Sequence, residues 1–491
     1  MKKIILFVIT LFSIYSCVND NDDYRKDKKQ AYEVPGAYLF SNAEKELTDL
    51  LVTSSYNYNV FRFLGQYWTE TTYIDEVRFD LTKRAITQNY WNTLYVHVLD
   101  NLRQASVNIA ATEAPNTYSP EEVETFDKIK QNQLAIIDLL EVYAFQVLVD
   151  TYGNVPYSQA FQPDVYPTPV YDDAAAIYED LIKRATAATE KIDVSHGSFD
   201  ASDFLYEGNP EEWKKFGNSL LIKLGIALAD ANPSLSIQAV NAGYAGGAVL
   251  DNSDNALFKY NETDYSPIYS NVFANGRNDF VGADTFINYL NTTNDPRISA
   301  YFQLYIERDK DGNIIASYYK GGEYGAGGNT VKNASKPGLF AYTPATSGVL
   351  MEAAEVNLYL AEAAARGGYS VGGSAESYHD AAVTLSFAFW NVPLDNYLIY
   401  NPYDASDWKK SIGLQAWVCL YNRVESWNTK RRLDYPKLNV GPKSYLKAVP
   451  IRFTYPLAEQ TRNAVNWKAA VTAQNPDGKD VYDTPVFWDK N

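Results

Sequence analysis

Apolar residues recur along the chain in runs with helical spacing, separated by long stretches that lack it. After Lys83, the residues Trp91, Leu94, Val98, Leu102, Ala105 and Ile109 fall on one face of a 3.6-residue period and predict a helix. His97 lies just off that stripe and reads as a structural histidine. Ser119-Pro120-Glu121-Glu122 carries an N-cap serine, a proline at the first helical position and the glutamate of a capping box. The helix it opens runs through Ile129, Gln133, Ile136, Leu140, Tyr143 and Val147. It should stop near Gly153, with Pro156 beyond. A partner follows Asp172-Asp173, with Ile177, Leu181, Ala185 and Ala188 facing inward. The small residues at 185 and 188 allow close helix approach. Asn209-Pro210-Glu211-Glu212 repeats the cap, Trp213, Phe216, Leu220 and Leu224 form the next stripe, and Asn232-Pro233 ends it. Further helices are expected over Val349–Arg366, closed by Gly367-Gly368, over Ala375–Trp390, and over Leu414–Arg432. One hairpin is expected, pairing Gln303–Arg308 with Ile314–Tyr319 around Asp311-Gly312.

Antiparallel helix pairs of this length are the unit of helical arrays such as tetratricopeptide repeats. No strict repeat motif is present, so the expectation is an all-α fold with repeat-like pairs and a few short strands. The segments of roughly 56–82, 244–283, 317–346 and 392–412 are rich in Gly, Asn and Tyr instead. Loops this long are functional or disordered. Their aromatic content argues for order, because the chain holds 40 Tyr, 22 Phe and 9 Trp in 491 residues. The picture is a helical scaffold that displays aromatic loops. A net charge of −17 provides no basic footprint for nucleic acid.

Chemistry-bearing motifs are missing. There is no nucleophile elbow, no zinc-protease helix, no phosphate loop and no dinucleotide fingerprint. His97, His196 and His379 lack metal-ligand spacing. Asp309-Lys310-Asp311-Gly312 superficially resembles a calcium loop, but its glycine comes early and the distal glutamate is absent, so it reads as the hairpin turn. No metal and no cofactor are expected. A glycoside hydrolase needs only two carboxylates across a cleft. Glu70, Asp75 and Glu76, within an aromatic loop, are the first residues to suspect.

The amino terminus sets the compartment. Lys2 and Lys3 precede an apolar stretch from Ile4 to Ile14, shorter than the roughly 20 residues of a membrane-spanning helix. Residues 1–16 read as a signal peptide. Ile14-Tyr15-Ser16-Cys17 resembles a bacterial lipobox, which makes Cys17 the lipidated residue. Residues 17–30 read as a polar tether, and Asp20, Asp22 and Asp23 resemble a surface-export signal. Residues 31–491 form the expected single domain, in which Cys419 reads as a buried apolar residue.

Several segments resemble one family. Val149–Phe161 (VDTYGNVPYSQAF) resembles the family's aromatic-Gly-Asn-hydrophobic-Pro-Tyr turn after a long helix. Asn209–Ala229 resembles its Trp-x-x-Phe-x-Asn-Ser-Leu helix, and Asp295–Phe302 its Asp-Pro-Arg element. Glu355–Gly368, Lys430–Pro436 and Val449–Asn463 resemble its later signatures in family order. The chain is thereby similar to the SusD/RagB type of nutrient-binding outer-membrane lipoproteins. The resemblance implies a SusD-like helical fold with a loop-rich binding face. It also implies a surface lipoprotein that captures an oligosaccharide, in some members a peptide, and serves a SusC-like TonB-dependent transporter without chemistry of its own. The alternatives are a peptide-binding member and, less readily, a surface glycoside hydrolase.

A pyranose offers a C–H face to an aromatic ring and hydroxyls to Asn, Asp and Arg. Three loop groups carry such parts: Tyr67, Trp68 and Tyr73; Tyr265, Tyr269, Arg277 and Asn278; and Tyr318 and Tyr324. Trp68 and Arg277 lead this set, because Trp68 lies outside every helical stripe and Arg277 sits in a polar turn. Each could instead pack on the scaffold.

Overall fold

Helix pairing follows sequence order in the computed structural model, which describes residues 34–491. The expected signal peptide and tether, with Cys17, lie outside the described residues. Helix α1 (Gly36–Val52) packs on α2 (Asp100–Ala111), and α3 (Pro120–Tyr152) packs on α4 (Ala174–Lys191). Likewise α5 (Pro210–Ala227) packs on α6 (Pro233–Ala245), and α7 (Ala353–Arg366) on α8 (Ala375–Phe389). Helices α9 (Trp408–Cys419) and α10 (Val424–Leu433) then pack on each other. The caps act as their chemistry requires. The Ser119 hydroxyl accepts the Glu122 N–H while the Glu122 carboxylate accepts the Ser119 N–H. Asp173, Asn209 and Asn232 cap the next three helices.

The α5–α6 contact depends on missing side chains. A Cβ at Gly243 would stand 2.4 Å from the Asn218 carbonyl oxygen, which is fixed backbone of α5. Gly243→Ala should therefore lower stability by about 1–3 kcal/mol, read as an earlier urea midpoint with an unchanged slope. An unchanged midpoint would show that the pair can separate freely.

Two helix boundaries differ from the sequence expectation. Val349–Met351 is not helical; it belongs to a strand, and the helix begins at Ala353. The stretch Leu414–Arg432 is two helices, broken where Asn422 takes a left-handed φ of 65°. Asparagine tolerates that region better than most residues, and its apolar neighbours disguise the break in a periodicity reading.

The strands are short: β1 (Trp68–Glu70), β2 (Ala256–Phe258), β3 (Phe280–Gly282), β4 (Tyr305–Arg308), β5 (Ile314–Tyr318) and β6 (Gly348–Met351). They form three antiparallel ribbons, β1–β3, β2–β6 and β4–β5. The last is the expected hairpin. Its turn is tied by the Asp309 carboxylate, which accepts the N–H groups of Asp311 and Asn313 at 2.9 Å. The hydrophobic core extends from Phe40 to Trp488 and joins helices to ribbons. Cys419 is buried.

An ion network joins α3, α5, α7 and α10. Lys223 of α5 sits 3.2 Å from Glu355 of α7 and 2.8 Å from Glu425 of α10. Arg423 binds Glu352 at 2.7 Å and Glu355 at 2.6 Å. The Tyr143 hydroxyl of α3 adds a hydrogen bond to Glu425 at 3.1 Å. Burial pushes the Glu425 carboxyl upward, but Lys223 and Arg423 outweigh it and hold the group at about 2.

Candidate ligand-binding face

The β1–β3 ribbon brings two distant loops to one place. Thr69 pairs with Val281, so the loop after Glu70 and the loop before Phe280 leave the ribbon side by side. Two further bonds fasten them. The Thr71 N–H donates to the Asp279 carbonyl at 2.8 Å, and the Thr71 hydroxyl to the Asn278 carbonyl at 2.6 Å. On this base stand Tyr73, 59% exposed, and Arg277. Tyr73 holds a left-handed φ of 56°, a conformation that bulky residues seldom adopt without a local reason.

Two guanidinium groups organise the rings. Arg84 lies 4.7 Å from the Tyr56 ring centroid and 5.4 Å from that of Tyr73. Arg277 lies 5.9 Å and 5.6 Å from the same two rings. Arg277 is oriented by Asp279 at 2.5 Å and Arg84 by Glu76 at 2.6 Å. Cations at these distances favour the ring faces. The result is a half-exposed patch with two rings, two guanidinium forks and the exposed Asn278 beside them. Such a patch can stack on an apolar ligand face and donate several hydrogen bonds at its edge.

The same loop continues the aromatic surface. Tyr265 meets Tyr269 at 5.2 Å between ring centroids, Tyr269 meets Phe273 at 5.4 Å, and Phe273 meets Tyr342 at 5.6 Å. Tyr265 and Phe273 are exposed.

Three predicted ligand contacts are corrected. Trp68 is fully buried: its Nε1–H donates to the Tyr421 hydroxyl at 2.6 Å and its ring packs 5.4 Å from Phe280. Tyr67 is fully buried, with its hydroxyl donating to the Trp417 carbonyl at 2.6 Å. Tyr324 is buried, with its hydroxyl donating to the Phe63 carbonyl at 2.8 Å. Each phenol or indole has its polar atom satisfied inside, which is how such rings sit in a core. Tyr318 is exposed but stands apart on the β4–β5 hairpin, edge-on to Tyr305 at 5.5 Å. Tyr73, Tyr265, Tyr269, Arg277 and Asn278 are brought to the face. Tyr56, Arg84, Phe273 and Tyr342 join them without having been singled out. Only their place in or beside the tyrosine-rich loops marked them.

The suspected carboxylates are differently used. Glu70 and Glu76 are buried beneath the patch, and burial, then mutual repulsion, raises the Glu70 carboxyl well above its usual range. Burial also raises Glu76. Asp75 is paired with Lys83 at 2.6 Å. Glu70 and Glu76 are fully enclosed, so neither carboxylate meets solvent. Among the described residues, no group of three or more His, Cys, Asp or Glu could hold a metal ion, and no helix is long and apolar enough to cross a membrane.

Comparison with known proteins matches residues 28–456 to the SusD-like family model described as starch-binding and associating with the outer membrane. No curated protein sequence matches the chain. A solved chitin-binding protein superimposes with a TM-score of 0.77 at 23% identity, covering 92% of this chain and 100% of the other. A chitin-binding SusD homologue from Flavobacterium johnsoniae gives 0.74 at 22% identity, with 93% and 98% covered. A SusD homologue from Bacteroides uniformis gives 0.74 at 24%, with 92% and 100% covered. At these identities the structural likeness speaks for the fold. A family match running from residue 28 to residue 456, on a fold shared with these solved homologues, makes this chain a member of the SusD-like family.

Proposed function

We propose that the protein is a surface lipoprotein that captures a nutrient oligosaccharide on the Tyr56–Tyr73–Arg277 face and passes it to a SusC-like TonB-dependent transporter. The observation that carries this reading is the pair of half-exposed rings held under two guanidinium forks on a rigid ribbon. Neutral sugars need that combination of stacking surface and hydrogen-bond donors. The family description as starch-binding, and the chitin-binding titles of two structural neighbours, support a glycan rather than another ligand class. The face is preassembled, so binding needs little ordering of side chains. The reading includes no chemical step, in keeping with the enclosure of Glu70 and Glu76.

A glycan array that includes chitin- and starch-derived oligosaccharides, probed with the purified protein, tests the ligand class. Binding of at least one oligosaccharide is expected; binding only of peptides from a parallel library would transfer the protein to the peptide-binding reading. Anchoring is proposed at Cys17. Cys17→Ala should lose both lipid label and outer-membrane fractionation, since durable attachment requires more than one acyl chain. Extraction in mild detergent should bring a large β-barrel transporter with the protein, and a lipoprotein that always migrates alone would count against the transporter partnership.

A further inference from the structure

Behind the aromatic face lies a pocket of about 240 Å³. It is smaller than the ~300–1,000 Å³ of sites for drug-sized ligands. A small ring fits within it. The pocket shares walls with the face. Ser266 and Ile268 line it, and they alternate with Tyr265 and Tyr269. Phe340 and Thr346 line it from the turn that presents Tyr342 to Phe273.

Its chemistry is that of a site for a neutral polar ring. Phe340 and Trp390 meet edge to face at 5.4 Å and form apolar walls. The charged groups in the lining are ion-paired, Arg423 with Glu352 and Glu425 with Lys223. Asn422 is different. It lines the pocket, is only 8% exposed, and its carboxamide oxygen has no hydrogen-bond partner. The adjacent Tyr421 hydroxyl is engaged with Trp68 and the Tyr301 carbonyl. A buried acceptor left unmade is costly.

We infer that this pocket is a subsite for one terminal sugar ring, walled by Phe340 and Trp390, in which the Asn422 carboxamide oxygen accepts a hydrogen bond from one of its hydroxyls. The inference rests on the proposed glycan-binding function and adds to it that the chain is grasped by its end. The extended aromatic face then holds the following sugars.

The test uses the full-length protein and five free monosaccharides: glucose, N-acetylglucosamine, galactose, mannose and xylose. Ligand-observed NMR should show saturation transfer to at least one of them. Ser347→Phe, which places a ring at the pocket rim, should abolish that signal, and Asn422→Ala should weaken it about tenfold, with both variants folded by circular dichroism. If Ser347→Phe does not fold, Asn422→Ala and competition between the monosaccharide and an array-positive oligosaccharide decide instead. No transfer to any of the five sugars, or a signal that survives the folded variants, overturns the subsite. Array binding without monosaccharide transfer removes the subsite alone; absence of both removes the glycan-binding function as well.

Discussion

Lys223→Met should cost about 3–5 kcal/mol of stability, because it leaves two buried carboxylates short of a cation. Lys223 is 4% exposed and sits between Glu355 and Glu425, with its ammonium 4.6 Å from the Tyr143 ring centroid. Burial alone would lower its pKa, yet Glu355 and Glu425 raise it well above the ordinary value. Without it, Arg423 faces Glu352, Glu355 and Glu425 alone. The loss should depend on pH. Glu425 is held at about 2, below its ordinary 4.5, so its contribution is complete above the unfolded value and disappears as pH falls through the folded one. The variant should therefore be most impaired at pH 7 and closer to wild type at about pH 4. Urea titrations of both proteins at the two pH values check this. Equal losses at both would mean that packing, not charge, explains the effect.

Trp68→Ala should be comparably severe, at about 3–5 kcal/mol. The indole is fully buried, hydrogen bonded to Tyr421, and stacked under the Arg62 guanidinium at 4.9 Å. Its removal leaves a cavity beneath the β1–β3 ribbon, so the loss should appear first as an earlier denaturation midpoint. Any loss of ligand binding would follow from the disturbed ribbon. A variant with a native midpoint and abolished binding would restore Trp68 to the ligand face.

That reversal marks the limit of reading this sequence. The helices were legible because period and caps agree: Ser119 with Glu122, and Asn209 before Pro210, announce their helices before any fold is known. The break at Asn422 was not, because Trp417, Tyr421 and Val424 keep apolar spacing across it. The strands were mostly hidden, since three residues such as Trp68–Glu70 are too few to display an alternation. Trp68 therefore looked like a loop residue, although pairing with β3 turns it into the core. Arg277 and Tyr73 were marked by their turn and by tyrosine density. Arg84 was not, because its role arises from Glu76 and from two rings that only the folded chain assembles. Asn422 carried no signal at all; an orphaned carboxamide oxygen is a property of packing.

The central claim is that the Tyr73–Arg277 patch binds the glycan. Isothermal titration of the array-positive oligosaccharide into wild type, Tyr73→Ala and Arg277→Ala tests it most directly. Both side chains are exposed and contribute little to the core, so both variants should melt like wild type. Each should lose on the order of 2 kcal/mol, about thirtyfold in affinity. Unchanged affinity in both variants, with native melting curves, would contradict the account and move the binding site away from this face.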